Sequence, residues 1–149
     1  METQPELQIS ADCEIRGSDK HGSGHYGAPR GNRTHNGVDI VCSGGTLIKC
    51  PADGVVTRCN GVVYSDPKKR EWRYIEVQDR HKAKHRMFYV KQLGMELGIK
   101  VKFGEVIGVA QGIEYLYDGI TPHIHYEIKI GRATYIDPIE YLETLSRER

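Results

Sequence analysis

A mostly β single domain built on an antiparallel sheet is the fold class that the sequence predicts, and three observations carry that expectation. Apolar and polar residues alternate with a period of two in Trp72–Val77 and His123–Ile130, the pattern of strands with one face turned inward. Other short apolar runs are separated by Gly, Pro and Asp clusters that suit turns. A capped helix signature occurs near the carboxyl end. At 149 residues the chain is long enough to bury one core without depending on metal or disulfides.

Taken in order, residues 1–12 show no periodicity and are expected to form a flexible arm, with the domain spanning 13–149. From Cys13 to Arg33 the glycines at 17, 22, 24, 27 and 31 predict irregular backbone that can wrap the mouth of a site. His21 and His25 in this loop read as exposed histidines, while Arg30 and Arg33 are candidates for bracing Asp39 or holding an acidic partner. Val38–Val41, Thr46–Cys50 and Val55–Cys59 read as strands, the last two as a hairpin about the Pro51-Ala52-Asp53-Gly54 turn. Trp72–Val77 and Arg86–Val90 follow, flanked by basic loops over residues 65–71 and 79–85. These loops would merge into one cationic patch if they left the same end of the sheet, and are otherwise solvated surface.

Ile99–Lys102 and Glu105–Ala110 are further strands, with loops between. The loop from Gln111 to Thr121 is rich in apolar and aromatic residues and reads as one wall of a cleft, with Tyr115 or Tyr117 against a ligand. Asp137 caps a helix over Ile139–Leu145, with Pro138 in the first turn and Glu140 three residues on, and Ser146–Arg149 is expected to fray.

The near-neutral formal charge of +1 gives no reason to expect nucleic acid. No run reaches the roughly 18 apolar residues of a membrane span, and the acidic, polar start lacks a signal peptide's features. Cys13, Cys42, Cys50 and Cys59 form no Cys-x-x-Cys element, which argues against a thiolate metal site. Two disulfides in any of three connectivities are open; Cys50 and Cys59 could face each other across the hairpin, leaving Cys13 with Cys42. Four reduced thiols are the other reading.

Chemistry concentrates in two stretches. His35-Asn36-Gly37-Val38-Asp39 offers a nitrogen and an oxygen donor on a Gly-containing bend, and His123-Ile124-His125-Tyr126-Glu127 offers more from a strand. Residues two apart share a strand face, about 7 Å apart, so His125 can bind a metal while His123 faces the open position. His35, Asp39 and His125 together are the donor set of an open zinc site. Glu127 shares their face and is placed to fix a ligand imidazole's tautomer.

These stretches, with Gly44-Gly45-Thr46-Leu47-Ile48, Ala52-Asp53-Gly54-Val55-Val56 and Gly104-Glu105-Val106-Ile107-Gly108 between them, resemble the M23 zinc metallopeptidases of the lysostaphin and LytM type. The resemblance implies that fold, an antiparallel sheet with long loops and a short terminal helix. It also implies zinc on His35, Asp39 and His125, with His123 acting as general base or orienting the attacking water. In that family a further histidine in a Tyr-Ala-His-Leu segment steadies the transition state; matched to Phe88-Tyr89-Val90-Lys91-Gln92-Leu93, its place falls to Lys91.

Glu14-Ile15-Arg16, Asp19-Lys20-His21-Gly22, Gly24-His25-Tyr26, the Asp39 bend followed by Cys42, and Met87–Lys91 also resemble the leukocyte cell-derived chemotaxins. These are secreted signalling proteins regarded as non-proteolytic, which carry lysine at this position. That resemblance supports a Cys13–Cys42 bridge, while Ser18 and Ser23 stand where the chemotaxins have another cysteine pair. The expectation is therefore an extracellular zinc-binding recognition or signalling protein that meets a protein receptor or glycan at the cell surface. The alternative is an active zinc endopeptidase cleaving glycine-rich peptide cross-links.

Overall fold

The computed structural model describes residues 9–10 and 14–149. It contains β1 (Ser18–Asp19), β2 (Gly22–Ser23), β3 (Pro29–Arg30), β4 (Arg33–Thr34), β5 (Gly37–Val41), β6 (Leu47–Lys49) and β7 (Gly54–Val62). These are followed by β8 (Arg73–Asp79), β9 (Lys84–Phe88), β10 (Val90–Gln92), β11 (Lys100–Val101), β12 (Val106–Ala110), β13 (His123–Ile130), β14 (Thr134–Ile136) and helix α1 (Pro138–Glu148). A seven-stranded sheet runs β11-β7-β8-β9-β13-β14, with β5 also on β13, and β10-β12-β6 form a second sheet. All these pairings are antiparallel.

The period of two in β13 divides its side chains between two jobs. Ile124, Tyr126 and Ile128 are fully buried on one face with Ile75, Val77 and Met87 of neighbouring strands. Ile48, Val90 and Ile107 of the second sheet and Leu142 of α1 join the same core. Each such side chain taken from water contributes about 1.5–3 kcal/mol. The other face of β13 carries His123, His125 and Glu127. Register across the sheet aligns Tyr74, Phe88, His125 and Asp39 in one row, and Glu76, Arg86, Glu127 and Gly37 in the next. A Cβ at position 37 would strike the carbonyl of Tyr126, so glycine there lets β5 lie close on β13.

β5 is held on both edges. Glu14–Arg16 runs along its other side, with Ile15 bridged to Ile40, Arg16 N–H donating to Asp39 C=O at 2.7 Å and Val41 N–H to Glu14 C=O at 2.8 Å. The Gly-rich region after it is more ordered than its composition predicts, since β1-β2 and β3-β4 are two small hairpins.

Several expectations are corrected. β6 and β7 are not a hairpin: the chain leaves β6 at Cys50, turns at Pro51, and enters the other sheet, where β7 pairs with β8 and β11. Cys50 and Cys59 therefore do not meet; both thiols are free, and Cys50 Sγ donates to Ala52 C=O at 3.0 Å. Cys13, and with it the Cys13–Cys42 pairing, lies outside the described residues. The basic loops flank opposite ends of β8 and cannot form one patch. Of the expected arm, Ile9 and Ser10 are buried, and Lys49 N–H donates to Ile9 C=O at 2.8 Å. The helix is capped by Asp137, whose side chain accepts from Ile139 N–H at 3.0 Å. It continues to Glu148 because Arg80 and His81 hold that carboxylate.

Candidate functional site

The row of residues on the outer face of the sheet opens into a cleft of about 610 Å³. At its centre three donor atoms converge. His35 Nε2 lies 3.0 Å from His125 Nδ1, and Asp39 Oδ1 lies 3.2 Å from each. Their elements explain the convergence: His125 and Asp39 are register partners on β13 and β5, and His35 precedes β5 by two residues.

The proton positions follow from what the far nitrogens meet. His35 Nδ1 faces the His25 carbonyl at 3.0 Å and His123 Nδ1 the Thr121 carbonyl at 2.7 Å. A carbonyl only accepts, so those nitrogens carry the protons. His125 Nε2 faces Glu127 Oε1 at 2.8 Å, which turns the Nδ1 lone pair inward. Once His125 gives up its inner proton, two imidazole lone pairs and a carboxylate oxygen point at one spot, an arrangement suited to a cation. Three donors at 2.0–2.1 Å from a tetrahedral zinc ion lie about 3.3 Å apart, close to the separations found. The donor set fits zinc, with an open side toward the cleft.

Electrostatics agree. Burial alone would raise the Asp39 carboxyl, but hydrogen bonds from His125 and His35 and the nearby His123 hold it well below the usual carboxylate range. Burial works against charging His125, yet Asp39 and Glu127 push it up to about 9. His123 is shifted downward, chiefly by burial. It remains a neutral ring whose Nε2 is 3.5 Å from Asp39 Oδ2.

Arg16 braces Asp39, a role that sequence reasoning gave to Arg30 or Arg33. Its side chain is 2% exposed. Nε and one terminal nitrogen each lie 3.0 Å from Asp39 Oδ2, while the other reaches Asp19 at 2.8 Å and the Gly22 carbonyl at 2.9 Å. Oδ2 is thereby engaged, leaving Oδ1 for the metal position. Gly24 allows this close approach, since a Cβ there would lie 2.6 Å from Arg16 Cβ. Arg30 stands farther off, at 3.8 Å from Asp39.

Lys91 does not occupy the site. It is exposed on β10 opposite Val109 and is not among the cleft's lining residues. The expected strand through Val90 breaks at Tyr89, where φ is +68°, an outlying conformation for a bulky residue. The break turns the Tyr89 ring into the cleft, edge-on to His123 with centroids 5.9 Å apart. Tyr117 Oη donates to Tyr64 Oη at 3.2 Å and Tyr64 to Tyr89 at 3.3 Å. Burial pushes the Tyr89 phenol up to about 12. Of the two tyrosines offered as a cleft wall, Tyr117 lines it and Tyr115 is 82% exposed.

Comparison with known proteins agrees with the fold. The family model for peptidase family M23 matches residues 33–138. The chain is 31% identical over 132 residues to leukocyte cell-derived chemotaxin-2 of Mus musculus, covering 87% of this chain and 80% of the relative. The figures for the Bos taurus protein of the same name are 33%, 87% and 80%. Among solved structures, the catalytic domain of the antimicrobial peptidase lysostaphin from Staphylococcus simulans superposes with a TM-score of 0.61 at 20% identity, over 87% of this chain and 99% of that one. Against longer lysostaphin the TM-score is 0.64 at 19% identity, over 88% of this chain and 54% of the other.

Proposed function

Because the chain belongs to peptidase family M23, in its chemotaxin branch, we propose that it is an extracellular zinc-binding recognition or signalling protein that keeps the peptidase scaffold without peptide turnover. His35, Asp39 and His125 hold the zinc, which when bound supplies Lewis acidity and positive charge to the cleft. The partner is a protein receptor or a glycan at the cell surface.

One observation supports this reading: Lys91, matched to the histidine that active peptidases use, is exposed on β10 outside the cleft, so the ring beside His123 is the Tyr89 phenol and no second imidazole stands there. Hydrolysis requires a base to take a proton and a donor to meet the negative charge growing on the carbonyl oxygen. His123 Nε2 has the free lone pair for the first task. Tyr89 cannot exchange protons near neutral pH, because its phenol is pushed up to about 12. The names of the chemotaxin relatives support a signalling role.

A second reading, slow endopeptidase action on glycine-rich peptides, rests on the same residues, since the Tyr89 hydroxyl is a neutral donor and His123 is correctly oriented. Incubating zinc-loaded protein with pentaglycine and cell-wall fragments decides between them. No cleavage by protein of verified zinc content is the expected result. Cleavage that disappears in His123→Ala overturns the non-proteolytic reading.

A further inference from the structure

We infer that Arg86 is a positioning residue for the metal site: through Glu127 it fixes the rotation of the His125 ring, and with it the aim of that ligand. This rests on the zinc reading above. The argument starts from strand register. Arg86 lies between Glu76 and Glu127 in one row across β8, β9 and β13, and the neighbouring row carries Phe88 and His125. Both rows are on the cleft face of the sheet, and Arg86, Phe88, His125 and Glu127 all line the cleft.

The His125 ring is hemmed in by two others. Its centroid is 5.0 Å from that of Phe88 and 4.9 Å from that of His35. Within that slot, the 2.8 Å contact of Nε2 with Glu127 Oε1 sets how the ring is turned. Glu127 then needs a hold of its own, since a carboxylate on a flexible stem does not keep one direction unaided. On the β5 side its neighbour is Gly37, which offers no side chain; a Cβ there would lie 2.9 Å from Glu127 Cβ. On the β9 side its neighbour is Arg86, one terminal nitrogen of which lies 3.6 Å from Glu127 Oε2. His125 and Arg86 are the ion-pair partners of Glu127 among the described residues. At 3.6 Å the Arg86 contact is a charge attraction rather than a hydrogen bond, and it acts in a buried setting where such attraction is strong. It draws Oε2 toward β9 and leaves Oε1 facing His125.

Arg86 can do this because it is itself anchored. Its Nε donates to Glu76 Oε2 at 2.6 Å, and Thr57 Oγ1 donates to the other Glu76 oxygen at 2.8 Å. The guanidinium carbon lies 5.6 Å from the centre of the Tyr74 ring, within cation–π range. One guanidinium therefore stands between two buried carboxylates, Glu76 and Glu127. Taking its charge away removes the cation that balances both and the pull that turns Glu127.

Zinc dissociation constants from chelator competition test this in the parent, Arg86→Met, Glu127→Ala and the double variant, with urea unfolding of each metal-free protein beside them. Arg86→Met keeps a long side chain and loses the charge. It is expected to weaken zinc binding about tenfold, as losing a partner that orients a ligand does. The double variant should bind no more weakly than Glu127→Ala alone, because Arg86 acts through that carboxylate. Cobalt(II) bound in place of zinc should show a shifted visible absorption spectrum in Arg86→Met, a sign of altered ligand geometry that a loss of fold stability alone does not produce. Arg86→Lys, which keeps the cation without the fork, should restore part of the affinity; if the methionine variant does not fold, the lysine variant and its double with Glu127→Ala carry the same comparison. Affinity within twofold of the parent, an unchanged cobalt spectrum, or losses that add in the double variant overturn the inference. A parent that takes up no zinc overturns the metal reading itself, so zinc stoichiometry tells the two failures apart.

Discussion

Replacing Arg16 with leucine separates the bracing of the metal site from the integrity of the fold. The guanidinium is buried and serves Asp39, Asp19 and the Gly22 carbonyl. Its removal leaves Asp39 Oδ2 buried, with Arg30 at 3.8 Å as its remaining guanidinium. Breaking a buried ion pair from one side costs about 3–5 kcal/mol, against a total stability of about 5–15 kcal/mol for a domain. Metal-free Arg16→Leu is therefore expected to fold in the cold but unfold at clearly lower urea concentration. Losing a partner that orients a ligand weakens metal affinity about 10- to 100-fold. Zinc at a fixed concentration then stabilises the variant by about 1.4–2.8 kcal/mol less than the parent. Urea titrations with and without zinc, together with chelator competition for Kd, read both quantities. Arg16→Lys, which keeps the charge but not the fork, should fall between. If Arg16→Leu loses stability yet binds zinc within twofold of the parent, Arg16 supports the loop alone and the argument from Asp39 Oδ2 fails.

Three further outcomes follow from the same geometry. Tyr89→His should introduce measurable hydrolysis of pentaglycine, while Lys91→His should not, because residue 91 lies outside the cleft; product analysis by mass spectrometry checks both, and the reverse pattern would return the role to Lys91. Since His125 in metal-free protein is pushed up to about 9, zinc must displace its proton at neutral pH. Apparent affinity should rise about tenfold per pH unit between pH 7 and 9 and then level off, measured by competition titration. A curve already flat at pH 7 would refute it. Burial works to raise the Asp79 carboxyl, but its bonds to His85 and Tyr141 hold it below the ordinary value. Asp79 then contributes stability above its unfolded pKa of about 3.9, which is lost as pH falls through the lower folded value. Asp79→Asn should be less stable at pH 7, with the gap to the parent closing as the pH falls below about 4, followed by denaturant unfolding.

What could be read from the sequence was whatever depends on local pattern. The alternation from His123 to Ile130 places three functional side chains on one face, and Asp137-Pro138 marks the helix start. Choices between partners were not legible. β6 and β7 flank a turn as hairpin strands do, yet β6 finds β12, and no residue near Pro51 announces that crossing. Arg16 carries no local sign of burial, because its reason for being inside is Asp39, 23 residues away. Tyr89 was missed because regular alternation puts it on the face of Met87, and nothing in a tyrosine signals positive φ. Lys91 was assigned by motif match, and the same break at Tyr89 accompanies its side chain's position outside the cleft.

The metal position joins the two ends of the folding problem. His35 and His125 are 90 residues apart, and Asp39 and His125 are 86 apart. Between them lie β6 to β12, so the donors cannot assemble until β13 has docked on β9 and β5. Closing so long a loop is a slow, late step. Zinc therefore cannot template the early stages of folding. An ion held there would retain chains that have already completed the sheet, and the rate at which added zinc is captured during refolding should report the docking of β13 rather than the initial collapse.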